Sequence, residues 1–208
     1  MEQNIFELKE AIERIEDKLI SAEKIYTAIQ FQVWMVVMIV YYIIITPLST
    51  IPWQLTAIYW ISALLVVAYI SSKILKRMRN LFKSYGSKTR SSARFGLGIV
   101  LSWVTGSITG WMIIPSFLLQ NGVEEMSAIA IGFLSFISLS IFGMFLTFKR
   151  STQRSELEMV PAFAIPALAV LVVPQIQTAQ MAYAGFCVAS AFGITVLAYM
   201  YTAFRVLR

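Results

Sequence analysis

Beyond its first 24 residues this chain carries four carboxylates: Glu124, Glu125, Glu156 and Glu158. Carboxylates that share a proton could divide acid and base work between them. Side chains one or two positions apart leave a helix in different directions, so neither pair suits a shared proton. Each also has a local explanation. Asn121-Gly-Val-Glu124 and Ser155-Glu-Leu-Glu158 have the spacing of capping boxes that open helices. The chain has no histidine and one cysteine, Cys187. Ser–His and Cys–His nucleophile pairs cannot be built, and histidine-ligated haem and the common zinc sites are disfavoured. No catalytic, cofactor-binding or metal-ligating residue is assigned, and the expectation is a protein that is not an enzyme.

Other polar groups lie within apolar sequence. Gly98, Ser102, Gly106 and Gly110 recur at intervals of four, with Thr105 and Thr109 among them. Small residues at this spacing let two helix backbones approach closely. The same hydroxyls could line a polar pathway. Pro166 falls in the middle of a short apolar segment, where it removes a backbone bond and invites a kink. Interrupted segments of this kind are a pointer to transporter sites.

A third group is basic: Lys73, Lys76, Arg77, Arg79, Lys83, Lys88, Arg90 and Arg94, with no Asp or Glu between them. Beside a membrane helix such a run marks the cytoplasmic side. It could also hold anionic lipid headgroups or an acidic partner. Nucleic acid is disfavoured, because there is one basic stretch and no nucleic-acid module.

These groups need elements to position them. Of the 208 residues, 58% are apolar and 13% charged, about half the charge of a soluble domain. No charged residue occurs between Lys24 and Lys73, Arg94 and Glu124, Glu125 and Lys149, or Glu158 and Arg205. A membrane helix needs roughly 20 apolar residues. The first and last intervals are about twice that length and contain prolines, so six spans are expected: 30–46, 54–72, 95–115, 125–148, 159–173 and 178–204. Lys and Arg fall only in alternate connections. This places both termini, the basic run and loop 149–158 in the cytoplasm of a multi-pass protein of the cell membrane. Spans three, four and six, rich in small residues, are expected at the centre. The bulky first span, with Trp34, Met35, Tyr41 and Tyr42, is expected on the lipid-facing rim.

Residues 1–28 read as a separate cytoplasmic amphipathic helix ahead of the six-helix transmembrane domain, 29–208. Asn4 and Glu7 fit a capping box. Ile5, Leu8, Ile12, Ile15 and Leu19 follow at heptad spacing. The seam could join two copies or recruit a partner, lie on the membrane, or dock on the chain's own basic loop. The fold class is an all-α membrane bundle with a coiled-coil-like N-terminal helix. Two functions are compatible with it: passage of a small solute or ion, or a non-catalytic subunit or scaffold that docks a partner.

Overall fold

The computed structural model describes residues 2–45, 52–84, 93–152 and 156–207, and every regular element among them is helical. Helix α1, Glu2–Met38, continues into a π-helical stretch at Ile39–Ile45. Helix α2 spans Trp53–Ser84. Helix α3, Ala93–Ser107, passes through a π-helical stretch into the short α4, Ile114–Gln120. Helix α5 spans Glu125–Thr152, α6 Val160–Ala169 and α7 Gln180–Val206. Among the described residues five helices are long and apolar enough to cross a membrane: Lys9–Tyr42, Gln54–Asn80, Phe95–Gln120, Glu125–Arg150 and Gln180–Val206.

The segment expected as a fifth span is shorter, an apolar helix over Leu157–Ala169. Pro166 lacks the N–H that would bond the preceding turn, and helix α6 ends three residues later. The chain then tightens, with Leu171 N–H bonding Leu168 O and Val172 N–H bonding Ala169 O. A 3₁₀ turn at Val173–Gln175 carries Pro174.

No glycine or proline interrupts the first 46 residues. The charged segment and the first apolar segment therefore form one rod, which runs on through residue 28.

The apolar part of that rod was expected on the rim, but one face of it is buried. Ala28, Phe31, Met38 and Tyr42 are buried, and α1 packs along α7 more extensively than any other pair of helices. The reason lies on α7. Ala184, Gly185 and Ala189 are small, and a Cβ on Gly185 would collide with the Tyr42 side chain. Phe31 meets Phe192 edge-on at 5.5 Å and stacks on Tyr199 at 6.0 Å. Small residues on one helix thus admit bulky ones from the other.

Helix α3 lies against α5. A Cβ on Gly106 would strike Ser140 Oγ, and one on Gly110 would come 2.6 Å from the Gly132 carbonyl oxygen. Helix α2 is peripheral. It meets α1 through Ala63, Val67 and Val37. Hydrogen bonds from Tyr59 Oη to Val37 O (2.7 Å) and from Ser71 Oγ to Gln30 Oε1 (2.9 Å) join the pair.

Candidate functional site

The densest polar chemistry lies where α1 enters the bundle. Lys24 is buried, and its ammonium donates to Glu156 Oε2 at 3.0 Å and to Glu158 Oε2 at 3.2 Å. The phenol of Tyr199 donates to the same Glu156 oxygen at 3.0 Å. The Lys24 ammonium also lies 5.2 Å from the Tyr199 ring centroid, within cation–π range. The side chains of Lys24, Glu156 and Glu158 are only 9%, 10% and 12% exposed. Charges so withdrawn from water are costly unless paired and hydrogen-bonded.

Three elements supply this cluster. Lys24 is on the face of α1 that turns to α7 and shares it with Ala28 and Phe31. Glu156 and Glu158 come from the 3₁₀ turn Leu157–Met159 and its cap, which precede α6. Tyr199 is fully buried in the last two turns of α7. The two carboxylates point to one ammonium because they sit on a tight 3₁₀ turn, where α-helical spacing does not apply. The capping box expected of Ser155 and Glu158 rests on Ser155, which lies outside the described residues, and both carboxylates are seen to pair with Lys24. The cluster has one positive and two negative formal charges. Lys24 occupies the position between the carboxylates, and it ties the N-terminal helix to the turn before α6 and to α7.

A second polar cluster lies at the opposite end. Gln180 is buried at the start of α7, and its Nε2 lies 3.0 Å from Glu124 Oε2, Ser127 Oγ and Ile176 O. The residue before it, Ala179, has a left-handed backbone, φ 61°. Glu124 was expected to close a capping box with Asn121. Instead Asn121 and Gly122 finish α4, with Asn121 N–H bonding Phe117 O and Leu118 O, and the Glu124 carboxylate reaches Gln180. Gly122 adopts φ 78°, a conformation that suits glycine after a helix end. Between the two clusters the hydroxyls of Ser140 and Thr195 are buried with no hydrogen-bond partner among the described residues.

The small-residue stripe divides. Gly98 faces Thr147, Gly106 faces Ser140, and Gly110 faces Phe136 and Gly132, all on α5. Ser102 is buried beside Gly143 and bonds its own helix at Gly98 O. Thr105 is exposed and bonds Leu101 O, so it does not join the others, and Thr109 is half-buried. Pro166 is buried in α6, away from that stripe. Of the basic residues, Lys73, Lys76, Arg77 and Arg79 are exposed on α2. Lys83 falls in the last turn of α2 and Arg94 in the first turn of α3. Lys88 and Arg90 lie outside the described residues. Along the N-terminal seam, Ile12 is 55% and Ile15 37% exposed, and Leu19 is half-buried. The backbones of Ile5 and Leu8 belong to the same helix.

Sequence reasoning missed Lys24, Glu156, Glu158 and Tyr199 as one group. A signal was present: Lys24 and Glu158 are the last charges before the two longest uncharged stretches, where a charge must find a partner as the chain leaves water. Among the described residues no three of His, Cys, Asp and Glu gather as a metal-ligand set. No family model matches the chain, and no curated protein or solved structure matches it.

Proposed function

We propose that the chain is a multi-pass integral membrane protein without catalytic activity, a membrane subunit that presents its N-terminal helix as a docking arm. In this reading six segments cross the bilayer. The helix over Leu157–Ala169 and the turns after it make the fifth crossing. Both termini, the basic run and loop 149–158 are cytoplasmic, in accord with the positive-inside rule.

One observation carries the docking reading: α1 is a single rod that is buried against α7 at one end and stands exposed at the other. Residues 9–18 are all exposed. Ile12 and Ile15 lie on the flank away from Lys24, Ala28 and Phe31, which face α7. That flank continues at spacings of three and four through Leu19, Ala22 and Tyr26 to Gln30, Val33 and Val37, of which Gln30, Val33 and Val37 meet α2. Beyond the reach of α2 the aliphatic seam has no cover among the described residues. A short helix in isolation is marginal because its nucleus is costly. Here the buried half supplies the nucleus, so the arm stays helical and rigid.

The occupant that best fits the seam is a second copy. Two copies inserted the same way into one membrane present their arms side by side and parallel, the arrangement that an Ile/Leu heptad seam accepts. Intact-mass measurement of the detergent-solubilised protein tests this reading. The full chain is expected at twice the chain mass, and a chain lacking residues 2–18 at the single mass. Equal assembly of both would overturn it.

Solute passage is the second reading, favoured by the unpartnered hydroxyls of Ser140 and Thr195 between the two polar clusters. Its test is flux of small neutral solutes and monovalent ions into proteoliposomes.

A further inference from the structure

We propose that the outward face of α2 binds the headgroups of anionic phospholipids where this helix leaves the bilayer. The inference rests on the membrane-spanning reading above and is independent of the docking arm.

Helix α2 has two unlike sides. Ala63 and Val67 are buried on the side towards α1, and Ser71, Ile74 and Met78 continue that stripe half-buried. The opposite side is exposed from Ile58 to Arg79. It begins as Ile58, Ile61, Leu65 and Tyr69, each between 58% and 67% exposed. At the same three- and four-residue spacing it continues as Lys73, Lys76 and Arg79, with Arg77 on the flank, all exposed.

The change from apolar to basic falls at a defined depth. Twenty residues separate the start of α2 from Lys73, a rise of about 30 Å, which matches the hydrocarbon thickness of a bilayer. Tyr69 then sits at the border, where aromatic residues collect, and the Lys73 ammonium lies 5.2 Å from its ring centroid. One turn further out, Lys76, Arg77 and Arg79 are at headgroup level.

Pairing of these charges with the chain's own carboxylates is the weaker alternative. The acidic arm of α1 lies on the other side of the helix, across the Ser71–Ile74–Met78 stripe. Among the described residues no carboxylate pairs with Lys76, Arg77 or Arg79. A lipid of the adjacent leaflet, whose chains reach about 15 Å, packs along Leu65 and Tyr69 and places its headgroup against the basic residues without any rearrangement of the protein. The guanidinium groups of Arg77 and Arg79 offer paired donors suited to a phosphate, and the lysines add point charge. A phosphodiester headgroup with net negative charge satisfies them, whereas a zwitterionic one brings its own cation.

The test uses native mass spectrometry of the full chain in mild detergent, with phosphatidylglycerol and phosphatidylcholine of matched acyl chains. The parent should retain phosphatidylglycerol in preference. Each positive charge at an anionic surface is worth about a fivefold gain before screening. Exchange of Lys73, Lys76, Arg77 and Arg79 for Gln should therefore cut the preference at least tenfold. The charge-preserving variant K73R/K76R/R77K/R79K should keep it. Lys149→Gln with Arg150→Gln, on the last turn of α5, should also leave it in place. Glycerol 3-phosphate at millimolar concentration should not displace the lipid, because it lacks the chains that lie on α2. An unchanged preference in the quadruple Gln variant, an equal loss in the Lys149/Arg150 variant, or displacement by the free phosphate ester would overturn the proposal. Failure of the parent to resist alkaline extraction from membranes would overturn it together with the membrane-spanning reading.

Discussion

Replacing Lys24 with Met should be among the most damaging single changes on α1. Lys24 and the two carboxylates it bonds are about nine-tenths buried. Met keeps the stem that packs beside Ala28 and Tyr199 and removes only the charge. Glu156 and Glu158 would then face each other in a dry site, with the Tyr199 hydroxyl as the one described donor left to them. Removing one partner of a buried ion pair typically costs about 3–5 kcal/mol, most of it the penalty for the stranded charge. Neutralising the strand should recover most of that loss. Lys24→Met combined with Glu156→Gln and Glu158→Gln leaves no charge to desolvate, and its cost should fall to about 1–2 kcal/mol for the hydrogen bonds lost. Reversible unfolding in mixed micelles, followed by far-ultraviolet circular dichroism, measures both variants. Trypsin cleavage at Lys18 and Arg14 gives a local readout, because a released α1 should be cut faster. A Lys24→Met cost under about 0.5 kcal/mol, or a triple variant no better than the single one, would refute the argument that this cluster fastens α1 to the bundle.

Three further outcomes follow from particular contacts. Gly106→Leu forces a side chain against Ser140 and the α5 backbone and should cost about 1–3 kcal/mol in the same assay, while Val104→Leu, at an exposed position, should change little. Ala179→Gly relieves a left-handed backbone that disfavours a Cβ and should raise stability by about 0.5–1 kcal/mol, net of the entropy that glycine adds to the unfolded chain. In a Cys187→Ala background, a cysteine at Gln120 should react with a membrane-impermeant maleimide from outside intact cells, and one at Arg14 should react only after the membrane is opened.

Much of the fold was legible because the relevant signals are long and uniform. Uninterrupted apolar stretches located the five long helices, and Pro166 and Pro174 announced that the segment around them would be broken. What was not legible depends on pairing between distant segments. The bulk of Trp34, Tyr41 and Tyr42 suggested a rim position, but Gly185 on α7 makes room for Tyr42, and a single helix does not show which neighbour supplies the gap. The buried charges escaped for a related reason. Glu156 and Glu158 look like helix caps when read against their own neighbours, and the partner they are seen to bond is 132 residues away for Glu156. Gln180, a polar residue at the edge of an apolar segment, likewise gained a role only when Ser127 of α5 and Glu124 just before that helix met it. Conversely, the continuity of α1 could have been read from the absence of Gly and Pro before residue 47, a local fact outweighed by the sharp change in charge at Lys24.

The docking arm is tested most directly by cross-linking between copies in native membranes. With Cys187 replaced by Ala, a cysteine at Ile12 on the seam should form a disulfide-linked dimer rapidly under mild oxidation. A cysteine at Glu13, on the side of the rod turned away from the seam, should not. Efficient linkage at Ile12 alone is the predicted result. Equal linkage at both positions, or none at either, would contradict a parallel pairing of arms and with it the account of this chain as a membrane subunit that assembles through its N-terminal helix.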